Sequence, residues 1–288
     1  MAGTPLIEAT ELEGLLNSDA DVVLLDVRWA LGDPEGHRHY LDGHIPGAVF
    51  VDLHHELAGV PSPESGRHPL PDPEEFQAAA RRWGINSGST VVVYDATRAL
   101  AAARAWWLLR HAGFENVRVL NGGLDAWTGS GHRVETGEVK AIPGHVELGW
   151  NQLPVIGIQE AQDFPGTLLD ARAPERYTGA TEPVDPRAGH IPGALSHPTT
   201  ENLADDGRFL PAEELSTGFA ALGIRPDATA TSTASIVPPV AAYCGSGVTA
   251  SHQILALHTI GVDAALYPGS WSQYSADATR TAATGENP

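Results

Sequence analysis

A hexapeptide occurs twice in this chain and fixes most of what the chain can become. Gly43-His44-Ile45-Pro46-Gly47-Ala48 returns as Gly189-His190-Ile191-Pro192-Gly193-Ala194, 146 residues later. Leu24-Leu25-Asp26-Val27-Arg28 returns as Leu168-Leu169-Asp170-Ala171-Arg172 at an offset of 144, and Val93-Tyr94-Asp95 corresponds to Ala242-Tyr243-Cys244 at 149. Leu120-Asn121-Gly122-Gly123-Leu124 corresponds to Tyr267-Pro268-Gly269-Ser270-Trp271 at 147. Four matches in one order and at nearly constant offset are hard to obtain by chance. An offset about one domain long indicates a tandem duplication and argues against a solenoid of short repeats. The 288 residues hold two such copies.

Each copy alternates short apolar runs with helical patterns. Val22 to Asp26, Val91 to Tyr94, Thr167 to Asp170 and Val240 to Tyr243 read as buried strands. Thr10-Glu11-Leu12-Glu13 has capping-box spacing. Pro73 and Pro211 each open a helix with acids in its first turn. Ala99 to His111 and Val248 to Ile260 are the longest helical patterns, with Gly113 and Gly261 just beyond them. Strand–helix alternation predicts an α/β fold: two tandem domains, each a mainly parallel sheet flanked by helices. The expected domains are 5–130 and 154–283, joined by a linker at 131–153 where Gly, Pro and charge are scattered. Asp227 to Ser235 is a run of small residues, read as a surface loop.

Charge removes several classes of partner. Thirty-six acidic residues against 17 basic ones give a net charge of −19, and Lys140 is the only lysine. Such a field repels nucleic acid and anionic membranes, and no basic run tracks a phosphate backbone. No stretch approaches the ~20 apolar residues of a membrane span. The amino terminus lacks a basic region followed by an apolar one, so a cytoplasmic location is expected. The single cysteine, Cys244, excludes an intrachain disulfide and a Cys-based zinc site.

That cysteine ends an apolar strand and precedes Gly245-Ser246-Gly247-Val248-Thr249 and a helix. A lone cysteine is ordinarily a small buried hydrophobe. The carboxyl end of a strand before a Gly-rich turn is, however, where α/β domains place ligands. Glycines let successive N–H groups converge as an anion nest, and the helix N-terminus adds partial positive charge. Both favour thiolate over thiol, so Cys244 is a candidate nucleophile.

The paired GHIPGA motifs, the LLDxR strands and Cys244-Gly-Ser-Gly-Val-Thr249 resemble the tandem-domain rhodanese sulfurtransferases over about residues 5 to 280. Thiosulfate-using members carry basic residues directly after the cysteine. Gly245-Ser246 is instead the pattern of the 3-mercaptopyruvate sulfurtransferases, and it fits a donor whose charge lies farther from its sulfur. Related cell-cycle phosphatases use Cys-x5-Arg, but the sixth residue after Cys244 is Ala250. The resemblance implies sulfur transfer from 3-mercaptopyruvate through a Cys244 persulfide held by the N–H groups of residues 245 to 249. The acceptor would be cyanide, a small thiol or thioredoxin. No metal or other cofactor is required.

Further roles follow from the resemblance. Arg176 and Arg187 match the arginines that the mercaptopyruvate family places on the substrate carboxylate, and a planar fork suits that task. Ser246 would bond the donor, and Thr249 would cap the helix or support the thiolate. His68, in Ser62-Pro63…His68-Pro69-Leu70-Pro71, matches a family histidine and is the expected partner of Ser246. The family often orients that histidine with an acid where this chain has His54, so an acid–His–Ser relay here would require Asp52 to substitute. Arg172, echoed by Arg28, reads as a structural ion pair, and His44 and His190 as turn residues. His37, His39, His54 and His55 lack metal-ligand spacing. Asp95 stands where the second copy has Cys244, so the first domain is expected to be catalytically silent. The rival readings are a thiosulfate:cyanide sulfurtransferase and a noncatalytic persulfide carrier.

Overall fold

The computed structural model describes residues 4–225 and 239–288; the Asp227–Ser235 run lies outside them. The chain forms two compact units. The first takes in residues up to Gly59, Leu70–Leu153 and Asp205–Arg208. The second takes in Val60–Pro69, Pro154–Ala204 and Phe209–Pro288. The division is therefore not one cut in the chain: a ten-residue stretch within the first copy belongs with the second unit. The 131–153 stretch carries no helix or strand beyond an isolated bridge at Glu135, and it groups with the first unit.

In the first unit the elements run β1 (Leu6–Ile7), α1 (Ala9–Leu16), β2 (Val22–Asp26), α2 (Gly36–Asp42), β3 (Val49–Phe50), α3 (Leu53–Glu56), α4 (Pro73–Arg82), β4 (Thr90–Tyr94), α5 (Ala102–His111), β5 (Val117–Leu120) and α6 (Gly123–Gly129). The sheet order is β1-β5-β4-β2-β3, every pair parallel. In the second unit α7 (Ile158–Gln162), β6 (Thr167–Asp170), α8 (Pro174–Tyr177), β7 (Leu195–Ser196), α9 (Ala212–Ala221), β8 (Val240–Tyr243), α10 (Thr249–Thr259), β9 (Ala265–Leu266) and α11 (Ser270–Ala276) follow. Its sheet order is β7-β6-β8-β9, again all parallel. Where the first unit has β1, the second has only a single parallel bridge, Val155 to Leu266.

Parallel strands buried on both faces read as continuous apolar runs, and β4 (Thr-Val-Val-Val-Tyr) and β8 (Val-Ala-Ala-Tyr) do so. The first core gathers Leu12, Leu24, Ile45, Val92, Tyr94 and Trp127. The second gathers Leu168, Ile191, Tyr243, Trp271 and Tyr274. Trp106 and Trp107 on α5 are buried too.

The repeated motifs serve these cores. In each GHIPG turn the histidine Nδ1 bonds a carbonyl: His44 to Tyr40 at 2.9 Å and His190 to Tyr177 at 2.8 Å. Each ring also stacks on that tyrosine. The next residue's N–H bonds the hydroxyl of a strand tyrosine, Ile45 to Tyr94 and Ile191 to Tyr243. The motif thus pins a turn to the strand that precedes Asp95 or Cys244, which explains its presence in both copies. Arg28 and Arg172 form structural ion pairs, and their partners are Asp26 and Asp170, each at 2.6 Å.

Of the expected helix starts, the one at Thr10 differs and the one at Pro73 agrees. The capping box at Thr10 does not form: α1 begins at Ala9 behind Glu8, whose carboxylate instead bonds Asn121. At α4 Asp72 is the cap, accepting from Glu74 and Glu75 N–H, with Pro73 at the first helical position.

Candidate functional site

Cys244 sits just beyond β8 and is 1% exposed. Its backbone is fastened from the α11 side. Cys244 N–H bonds Ser270 Oγ at 3.1 Å, and Cys244 carbonyl accepts from Trp271 N–H at 3.0 Å. Ser270 takes a left-handed φ of 52°, unusual for a residue with a Cβ. Its hydroxyl compensates by also donating to Tyr267 carbonyl at 2.9 Å.

The loop then turns back over the sulfur. Gly247 N–H points at Cys244 Sγ at 3.2 Å. Gly247 has φ of +79°, and a Cβ there would lie 2.5 Å from Pro268 carbonyl oxygen, so only glycine fits without movement. Val248, not Thr249, is the N-cap of α10 and Thr249 is its first residue, so the capping role expected for Thr249 is not realised.

Ser246 and His68 meet as expected. His68 Nδ1 lies 2.8 Å from Ser246 Oγ, with both residues buried. Asp52 is engaged within its own helix start. One of its oxygens accepts from His54 and His55 N–H, capping α3, and the other bonds the His55 ring at 2.9 Å. These bonds, with the His55 ring behind most of the charge effect, outweigh burial and hold Asp52 below the usual carboxylate range.

The two arginines part company. Arg176 reaches the loop: its Nη1 lies 3.3 Å from the position a Gly245 Cβ would take. Its other nitrogens are braced from behind by Glu182, at 2.7 Å, and Asp185, at 3.0 Å. Arg187 corrects the expectation. Its Nε, Nη1 and Nη2 donate to the carbonyls of Ser275, Arg280, Tyr274 and Asp277 at 2.6 to 2.8 Å. Four of its five N–H groups are thereby spent on tying down the chain after α11, so it is not available as a carboxylate fork.

Arg67 stands at the loop instead. Its Nη2 lies 3.0 Å from the same Gly245 Cβ position, and its Nη1 pairs with Asp185. The loop itself carries no basic residue, but Gly245 leaves a space that two guanidinium groups face. Burial raises the Asp185 carboxyl above its ordinary value, with Glu182 adding to that and the arginines opposing it. Glu182 is held low, because hydrogen bonds from Arg176 and from the Asp185 and Val184 N–H groups outweigh burial. Arg67, Asp185 and Glu182 were not singled out from sequence. Arg67 is remote in the chain from Cys244, and its only signal was its place beside His68.

The equivalent loop in the first unit is closed on itself. Asp95 is fully buried, and its two oxygens accept four backbone N–H groups at 2.8 to 2.9 Å, from Thr97, Ala99, Ala101 and Ala102. Arg98 and Ala99 take φ of 61° and 66° to bring those donors inward, which delays the start of α5 to Ala102. The carboxylate is itself the anion in this nest.

Among the described residues no three His, Cys, Asp or Glu side chains gather as a metal site needs, and no helix is long and apolar enough to cross a membrane. His37, His39, His54 and His55 each have a partner of their own: Glu138, Asp33, the Trp29 indole N–H and Asp52.

Comparison with known proteins places these features in context. The rhodanese-like domain model matches residues 8–130 and 157–277. A Mycobacterium tuberculosis protein, SseB, whose name carries thiosulfate as donor, is 46% identical, with 98% of each chain covered. A Pseudomonas aeruginosa protein whose name carries 3-mercaptopyruvate is 44% identical, covering 99% of this chain and 100% of its own. The crystal structure of Escherichia coli SseA, described as a 3-mercaptopyruvate sulfotransferase, superposes with a TM-score of 0.78 at 34% identity, over 94% of this chain and all of that one.

Proposed function

This chain belongs to the rhodanese-like family and is a sulfurtransferase, and we propose that it takes sulfur from 3-mercaptopyruvate through a persulfide on Cys244. The observation that carries the proposal is the grouping of Cys244 beneath Gly247 N–H, with Ser246 of the same loop bonded to His68 and Arg176 at Gly245.

The chemistry balances without an added redox partner. Cys244 thiolate attacks the donor's thiol sulfur, a new S–S bond forms, and the C–S bond breaks. Its electrons leave with carbon as pyruvate enolate. The donor's thiol proton passes to the enolate carbon, a transfer the Ser246–His68 pair can relay, and pyruvate departs. The persulfide, steadied by Gly247 N–H and its neighbours in the loop, yields its outer sulfur to cyanide, a small thiol or thioredoxin. This is a double displacement. A nucleophile that must be present as thiolate favours a reducing compartment, hence the cytoplasm. The first unit, with Asp95 in its own nest, holds no nucleophile.

Incubating the purified protein with 3-mercaptopyruvate should raise its mass by one sulfur. No adduct, or an adduct that persists in Cys244→Ser, overturns the proposal.

A second reading, thiosulfate as preferred donor, draws on one observation: Arg67 and Arg176 bring two positive charges to Gly245 although the loop carries none. Comparing kcat/KM for the two donors separates the readings.

A further inference from the structure

We infer that Arg67, rather than Arg187, completes the donor-anion clamp with Arg176, and that Asp185 is the carboxylate that anchors both guanidinium groups with their unspent nitrogens toward Gly245. The inference rests on the sulfur-transfer reading above and adds a specificity-determining residue to its site.

The free edges of the two guanidinium groups carry the argument. Arg67 spends Nη1 on Asp185 Oδ1, and Arg176 spends Nε on Glu182 and Nη2 on Glu182 and Asp185 Oδ2. Among the described residues, Arg67 Nη2 and Arg176 Nη1 make no hydrogen bond. These are the two nitrogens that lie 3.0 and 3.3 Å from the Gly245 Cβ position, one residue from the nucleophile. Arg67 Nε is buried with no partner. Nε and Nη2 form the side-on fork of a guanidinium, the edge that grips two carboxylate oxygens. An arginine whose end is anchored and whose fork is unspent is poised for an anion.

The segment that carries Arg67 is itself fixed. Arg67 N–H bonds Ser272 Oγ at 3.1 Å, and Gln273 Nε2 bonds Glu64 carbonyl. A Cβ on Gly66 would lie 2.6 Å from Gly269 carbonyl, so the strand of chain lies directly on the start of α11. His68, the residue after Arg67, reaches Ser246 from the same segment. One ten-residue stretch thus supplies both the proton-handling histidine and a clamp arginine.

Asp185 gives the clamp its selectivity. Its side chain is 2% exposed and bridges both arginines, one oxygen to each. With Glu182 it balances the two positive charges. A donor carboxylate therefore meets two correctly placed N–H groups and no net charge in excess. A monoanion of the right shape benefits, whereas bulk anions gain little.

The test is steady-state kinetics on Arg67→Gln, Arg67→Lys and Asp185→Asn, each first checked for a wild-type melting profile. Two donors are used: 3-mercaptopyruvate, and mercaptoacetone, which keeps the thiol and carbonyl but has a methyl in place of the carboxylate. Arg67→Gln should raise KM for 3-mercaptopyruvate by ~10-fold or more, with kcat within about threefold. Its kcat/KM for mercaptoacetone should not move. Arg67→Lys, which keeps charge but not the fork, should fall between. Asp185→Asn should raise KM for 3-mercaptopyruvate, because it loosens the anchor that holds both guanidinium groups at Gly245. An Arg67→Gln enzyme that uses both donors like wild type, or loses both equally, overturns the inference; so does an unchanged or lowered KM in Asp185→Asn. If wild type turns over thiosulfate but not 3-mercaptopyruvate, the donor reading fails by itself. The clamp is then judged by whether Arg67→Gln raises KM for thiosulfate.

Discussion

His68 Nδ1 lies 2.8 Å from Ser246 Oγ, a hydroxyl–imidazole pair buried two residues beyond the nucleophile. Removal of the imidazole should expose which donor needs it. With 3-mercaptopyruvate a proton must reach carbon as the enolate leaves, whereas thiosulfate releases sulfite and no carbon is protonated. His68→Asn should lower kcat for 3-mercaptopyruvate by roughly 10²-fold, the usual worth of a positioned acid–base group, and change thiosulfate turnover by less than about threefold. Ser246→Ala should act in the same direction. Equal losses with both donors would show that the pair only shapes the loop.

Asp95 makes a prediction about stability rather than turnover. Its carboxylate satisfies four buried N–H groups at the head of α5. Asp95→Ala strands those donors, and each unsatisfied buried group costs about 1–3 kcal/mol before relaxation. A loss of several kcal/mol in denaturant unfolding is expected. Asp95→Asn, which keeps one acceptor oxygen but turns an N–H toward the others, should lose less. Cys244 persulfide formation by the surviving folded protein should persist in both. A neutral effect of Asp95→Ala on unfolding would contradict the nest.

Glu182 and Asp185 should respond to pH with opposite signs. Glu182 is held below its ordinary value by hydrogen bonds that outweigh burial. The unfolded chain therefore binds its proton first as pH falls, and the stability Glu182 contributes is present above the ordinary carboxyl value and lost as pH drops through the folded one. Glu182→Gln should thus destabilise at pH 7 and approach wild type in acid. Asp185 is raised, chiefly by burial. Its ionised form costs stability above its folded value, and that cost disappears in acid. Asp185→Asn should be neutral or stabilising at pH 7, with any gain gone at low pH. Melting temperatures of the two variants across pH 3 to 7, relative to wild type, decide the matter.

The fold was legible because duplication and apolar runs are local. Strands at Val22, Thr167 and Val240 begin where hydrophobic pattern places them, and paired GHIPG motifs announce paired turns. The nucleophile was legible for the same reason: strand, cysteine, Gly-rich turn and helix are contiguous. His68 and Ser246 were paired only through family resemblance, since they are distant in the chain. The arginines show where that approach stops. Arg176 is held by a short helix, α8, and Glu182 six residues on, so its place follows from local sequence. Arg187 lies in a loop two residues before Gly189, and sequence spacing cannot tell a guanidinium aimed at substrate from one aimed at four carbonyls. Arg67 carried no motif of its own. The Thr10 capping box failed because Glu8, already bonded to Asn121, set the start of α1 earlier.

Gly247 offers the sharpest test of the loop itself. Its N–H is 3.2 Å from Cys244 Sγ, its φ is +79°, and an added Cβ would approach Pro268 carbonyl oxygen to 2.5 Å. The obstacle is backbone, so it cannot swing aside as a side chain would. Gly247→Ala must therefore open the turn, move the N–H off the sulfur, or displace Pro268 and with it the start of α11. Each route removes a donor from the sulfur on which negative charge resides before attack and after transfer. Loss of one such donor is worth about 10²–10³ in turnover where charge is stabilised in a buried site. The persulfide should also be shorter-lived, losing sulfur faster after excess donor is removed. Gly261→Ala is the control: it too has positive φ, +76°, but a Cβ there meets nothing, so it carries backbone strain without touching the loop. If both variants lower the melting temperature alike but only Gly247→Ala loses turnover and persulfide lifetime, the N–H on sulfur is the cause. Equal effects of both on turnover would assign the loss to strain.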